Sequence, residues 1–197
     1  MKKKFLKALV IVGCAILLVL ATITGTVAYL TSVKEVKNTF TVGNVTITLD
    51  ETDVDLYGVK ETEARVTKNE YKLIPGHEYV KDPTIHVAAG SEDCYIFFKV
   101  ENGLGAAATL DIDSTKWESI DTNVYCYKEI ATAGNDYKAF TKFTLANNAD
   151  LSAYTDTDND GVVDATIVVT AYAVQKDGID TVQAAWEAVK NIAPTNP

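Results

Sequence analysis

Histidine occurs twice in this chain, methionine once, cysteine three times and proline four times, within 197 residues. Each scarcity removes a class of chemistry. A zincin needs two histidines one helical turn apart and a glutamate base. His77 is followed by Glu78 but by no second histidine four residues on, Pro75-Gly76 keeps that segment out of a helix, and His86 falls in a predicted strand. No cysteine pair or Cys/His spacing suits structural zinc. The nucleophile motifs G-x-S-x-G and S-x-x-K are absent, and Gly103-Leu104-Gly105 lacks the rest of a phosphate-cradling fingerprint. The sequence therefore reads as a non-enzyme that requires no cofactor. Basic charge is also short, with 18 Lys and Arg against 27 Asp and Glu. Four of those bases (Lys2, Lys3, Lys4, Lys7) precede residue 8, so the rest of the chain carries 14 bases against all 27 acids. Such a surface repels nucleic acid and anionic lipid and suits a soluble exported protein.

What is present begins with an export signal. Residues 1–7 (MKKKFLK) are basic, residues 8–23 (ALVIVGCAILLVLATI) are apolar and uncharged, and Thr24-Gly25-Thr26-Val27-Ala28 supplies small residues before Tyr29. This is the three-part layout of a secretory signal, with the cut expected between Ala28 and Tyr29. Two alternatives stay open. Residues 8–31 are long enough to span a membrane if left uncut, and Ile11-Val12-Gly13-Cys14 is a loose lipobox. The expected division is a signal peptide over residues 1–28, an N-terminal extension over 29–43 and a folded domain over 44–197. The membrane is engaged only through the leader.

The folded part reads as all-β. Val45, Ile47 and Leu49 alternate with Thr46 and Thr48, the pattern of a half-buried strand. Residues 51–69 read as a charged excursion and 71–74 as a short strand. A Pro75-Gly76 turn follows, then a strand at 84–88. Residues 94–100 (CYIFFKV) form the most apolar strand and the expected centre of a sheet. Residues 113–119 read as a helical turn around Trp117. Strands at 124–130 and 138–145 are joined through Gly134-Asn135-Asp136, and residues 165–175 make a long strand. Val182, Ala185, Trp186 and Val189 share one helical face, opened by a capping-box-like Asp180 and Gln183. The expected fold is a jelly-roll-like antiparallel β-sandwich with a short C-terminal helix.

Three local features are candidate sites. Asp156, Asp158, Asp160 and Asp164, with Gly161 at the sixth position, follow the first part of an EF-hand loop. Ile167 stands where the bidentate glutamate belongs, so the candidate calcium site is incomplete, and an acidic turn explains the same residues. Cys94 and Cys126 are either one disulfide of an exported domain or two buried thiols. Tyr95, Tyr125, Tyr127 and Tyr172 could build a ligand face or straddle core and rim.

The junction is more specific than a generic signal. Residues 25–31 (GTVAYLT) and 38–49 (NTFTVGNVTITL) resemble the leader and first strand of substrates of the SipW-type signal peptidase in Gram-positive-type bacteria. That group includes the TasA and camelysin (CalY) family of biofilm-matrix proteins. Residues 73–83 (LIPGHEYVKDP), with 170–175 and Ala185-Trp186, are also similar to members of the group. The resemblance implies a jelly-roll subunit processed by that signal peptidase, located in the matrix or at the cell surface. It also implies self-association into fibres by donation of an N-terminal strand, for which Val33, Val36 and Phe40 are the apolar points. An alternative is an exported binding module for glycan or protein. A metallopeptidase, the class given to camelysin-type relatives, is the remote alternative and conflicts with the histidine spacing.

Overall fold

The computed structural model describes residues 44–154 and 165–192, all within the unit Val42–Pro197. The strands are β1 Ile47–Val54, β2 Lys60–Val66, β3 Glu78–Val80, β4 Thr84–Val87, β5 Cys94–Asn102 and β6 Ala108–Leu110. They continue with β7 Trp117–Asp121, β8 Val124–Tyr127, β9 Asp136–Lys138, β10 Lys142–Leu145 and β11 Ile167–Gln175, and the helix α1 spans Val182–Val189. Three antiparallel sheets result, in the orders β2-β1-β4-β9, β3-β10-β6 and β11-β5-β8-β7. The all-β, sandwich-like character expected from the alternating pattern is present, with one short C-terminal helix. These strand orders do not by themselves establish jelly-roll connectivity.

The period of two sets each face. Ile47 and Leu49 of β1, with Ile85 and Val87 of β4, meet Cys94, Ile96, Phe98 and Val100 of β5 across the main core. Phe98 stacks on Tyr125 at 4.9 Å and meets Trp117 edge-on at 4.8 Å. The opposite face of β5, with Tyr95 and Phe97, is covered by Ala185, Trp186 and Val189 of α1. A strand buried on both faces must be apolar at consecutive positions, which is why residues 94–98 read as an unbroken apolar run. A third cluster centres on Tyr79, stacked on Phe143 at 4.8 Å, with Leu104, Ala108 and Leu145.

Several expectations need correction. The charged stretch 51–69 is not an excursion, because β1 continues to Val54 and turns into β2. The turn is made by Gly58 at φ +75°, where a Cβ would come within 2.9 Å of Tyr79 Cα. Residues 71–74 lie outside any strand. Trp117 is the first residue of β7 rather than part of a helical turn; its Nε1–H donates to Lys138 O at 3.0 Å. Gly134-Asn135-Asp136 does not close a hairpin, since β8 and β9 belong to different sheets. The cap of α1 is Thr181, whose hydroxyl accepts the Ala184 N–H at 3.1 Å, not Asp180.

The register between β1 and β2 shifts between Thr52 and Val54: from Thr52↔Arg65 to Val54↔Lys60, so the extra residues lie on β2. Leu49 and Glu51 share the inner side before the shift, and Val54 is the buried residue after it. Asn69 occupies the break: its Nδ2 donates to Thr52 O at 2.8 Å and its Oδ1 accepts the Val54 N–H at 3.1 Å. The side-chain amide thus replaces the missing ladder partner.

Candidate functional site

The sheet edges differ in chemistry, and the difference singles out β11. Edge strands are usually blunted by charge, bulges or shortness. Four of the seven residues of β2 (KETEARV) are charged. β7 carries Glu118, Asp121 and a register shift. β3, β6 and β9 have three residues each. β11 (IVVTAYAVQ) has nine residues and no charge, and among the described residues it pairs only with β5.

The ladder shows which main-chain groups of β11 face away from β5. Gly103 N–H bonds to Thr166 O, and Lys176 N–H bonds to Asp93 O. Even-numbered residues of β11 therefore turn their main chain toward β5, so Ile167, Val169, Ala171, Ala173 and Gln175 turn theirs outward. None of the nine is fully buried, and Val168 is 45% exposed.

Beside this edge runs a cleft of about 500 Å³. β1 and residues 66–71 form one wall, and residues 165–169 form the other. Its apolar surface comes from Leu49, Leu73, Leu104, Phe143, Ile167 and Val169, while Asp50, Glu51, Asn69, Tyr71 and Lys81 add polar groups. Burial first, then the charges of Glu51 and Asp82, push the Tyr71 phenol well above its ordinary value, so it stays neutral. Its hydroxyl donates to Val80 O at 3.0 Å.

A second set of polar contacts fastens the outer face of the β2-β1-β4-β9 sheet. Arg65 reaches Asp50 at 2.6 Å and Asp82 at 3.2 Å, and Lys138 reaches Asp82 at 3.0 Å. His86 Nε2 lies 2.8 Å from Asp50 and its Nδ1 lies 2.6 Å from Asp136. Partial burial would lower the pKa of His86, but the bonds and charges of the two aspartates outweigh it and raise it. Burial would likewise raise Asp50 and Asp82. His86 and Arg65 overcome this at Asp50, and the Thr52 N–H with Lys138 at Asp82, so both sit below the usual carboxylate range.

The candidate residues fare differently. Cys94 and Cys126 are not paired. Cys94 points into the main core and Cys126 toward α1, on opposite faces of one sheet, so no side-chain rotation joins them. The tyrosines straddle rather than form one face: Tyr125 packs with the main core, while Tyr95 and Tyr172 pack with the α1 side. Tyr127 meets Trp117 and Tyr137. His77 packs on Tyr79 at 4.5 Å with Nε2 3.0 Å from Tyr57 O, among contacts distinct from those of His86. Among the described residues no group of three or more His, Cys, Asp or Glu is placed to hold a metal ion. No helix among them is long and apolar enough to cross a membrane. Ala28, Tyr29, Val33, Val36, Phe40 and the acidic loop Asp156, Asp158, Asp160 and Asp164 lie outside the described residues.

Sequence reading missed Arg65 and Asn69 because they fell in the supposed excursion, and Lys81 because its pairing with Glu51 across 30 residues has no local signal. The signal for β11 was available: a long strand with no charge, in an acidic chain.

No protein-family model, curated protein or solved structure matches the chain.

Proposed function

We propose that the chain is an exported structural protein of the cell surface or biofilm matrix. Its subunits associate when the extension 29–43 of one copy, through Val33, Val36 and Phe40, adds as a strand to β11 of another. The uncharged edge of β11, unpaired on its outer side among the described residues and beside an apolar cleft, carries this reading, because added strands gain affinity from main-chain hydrogen bonds and specificity from pockets for alternate side chains. The basic and apolar leader supports export. The acidic composition supports a soluble life beyond the membrane.

Sedimentation and electron microscopy of protein beginning at Tyr29 test the reading. Concentration-dependent oligomers are expected, and Val33→Ser, Val36→Ser and Phe40→Ser together should abolish them. A strictly monomeric species at high concentration, across pH and calcium, refutes association. The cleft favours one second reading, an exported module that binds an extended peptide or glycan. Pull-down and glycan-array binding by such a monomer would select it.

A further inference from the structure

Glu51, Lys81 and Asn69 converge where the register between β1 and β2 shifts. Lys81 Nζ lies 2.8 Å from Glu51 Oε2, and the two side chains are only 10% and 7% exposed. Asn69 Nδ2 donates to the other oxygen of the same carboxylate, Oε1, at 2.9 Å. The Val54 N–H is fixed on Asn69 Oδ1 at 3.1 Å. The Tyr71 ring stands over the lysine, with Nζ 5.9 Å from its centroid.

A buried amine and a carboxamide held on the two oxygens of one carboxylate are set up to react. Keeping an ion pair away from water is costly, and passing one proton from Nζ to Oε2 leaves a neutral amine beside a neutral acid. A neutral lysine amine in an apolar surround is a nucleophile. The Val54 N–H is aimed at the oxygen on which negative charge develops when an amide carbonyl is attacked. Glu51 already touches, through Oε1, the nitrogen that must leave, so one carboxyl serves as base toward Nζ and acid toward Nδ2. Glu51 on β1, Asn69 just after β2 and Lys81 just after β3 are held together by the folded chain, which removes the entropy cost of bringing them together.

The geometry points to an intramolecular isopeptide bond between Lys81 and Asn69, formed by the folded chain itself with Glu51 as the proton carrier. Nζ attacks Cγ of Asn69, and a Nζ–Cγ bond forms as the Cγ–Nδ2 bond breaks. Of the two protons that the Nζ ammonium loses, one passes through the Glu51 carboxyl to Nδ2, which departs as ammonia, and the other stays on Glu51, leaving it a neutral acid. Nothing is oxidised or reduced. The new amide keeps its oxygen on the Val54 N–H and retains one N–H for Glu51 or Thr52 O. The interior loses a lysine charge, and the segment after β2 becomes covalently tied to the end of β3.

The test is the intact mass of the folded full chain, referred to its measured N-terminus. The expected mass is one ammonia below that of the sequence. Trypsin should release a branched peptide of residues 69–72 joined to residues 73–99, uncut after Lys81. Lys81→Arg and Glu51→Gln should each restore the mass calculated for the substituted sequence. A wild-type chain that keeps its full mass after prolonged incubation at neutral pH overturns the proposal. So does an ammonia loss that survives Lys81→Arg, which marks cyclisation of the asparagine instead. Because the decisive reading is made on wild-type protein, misfolding of a variant does not obscure it.

Discussion

Phe97 of β5 stands directly opposite Cys126 of β8, and both side chains face the helix α1. Cys94, three residues before Phe97, faces the other way. Burial first, then Asp93, pushes the Cys94 thiol up to about 11; burial first, then Glu118, pushes Cys126 up to about 12. Thiolate is the reactive species, so native protein should label at least about a hundredfold more slowly than an ordinary thiol. Both cysteines should label once the chain is unfolded, with no reductant needed. Mass spectrometry after labelling, with and without denaturant, checks this.

Trp186 packs against Phe97 at 5.5 Å and Tyr172 at 5.3 Å, and its Nε1–H donates to Asp121 at 3.3 Å. Trp186→Ala should cost about 3–5 kcal/mol in chemical denaturation, the usual range for removing a buried tryptophan. The loss falls on one side of the sheet. Cys126 labelling should therefore accelerate in the variant while Cys94 labelling stays slow.

Val168→Lys places a charge on the exposed face of β11 without touching its outward main chain. A single edge lysine is a common natural guard against strand pairing. Thermal stability should change by less than about 0.5 kcal/mol, as for an ordinary surface site. Oligomers seen by sedimentation of wild-type protein should shrink to monomers. Equal association of the two proteins would place the contact elsewhere.

His86 makes stability depend on pH in a defined direction. The folded state binds its proton more tightly than the unfolded state does. Its contribution is therefore full below the ordinary value of 6.5 and lost as pH rises through the raised folded value. Asp50 and Asp82 act oppositely: theirs is full above the ordinary 3.8 and lost as pH falls through the lowered folded values. Tm should be highest between those limits and fall as pH rises above the ordinary histidine value of 6.5. His86→Gln should flatten the upper slope and leave the acid limb. NMR titration of the His86 ring checks the assignment independently.

The elements best read from the sequence were those whose pattern packing preserves. β5 was legible as a central strand because both its faces are buried, and α1 because Ala185, Trp186 and Val189 lie on one stripe. β2 was not, since KETEARV carries no apolar alternation. It is a strand because β1 offers a partner and Arg65 ties it to Asp50 and Asp82. The opposite facing of Cys94 and Cys126 depended on cross-strand register, which no local pattern contains. Of the candidate site, the long uncharged strand was visible. Its place at an edge was not, because strand order is a property of the whole sheet.

Among the described residues, the sheet β11-β5-β8-β7 has one rim that is uncharged and unpaired and one that is charged and bulged. If the extension of one copy adds to β11 of another, as proposed, the contact uses unlike surfaces on the two partners, and such a contact can propagate rather than close into a symmetric pair. A thread grown in this way would have a polarity, with a receptive tip and a spent one.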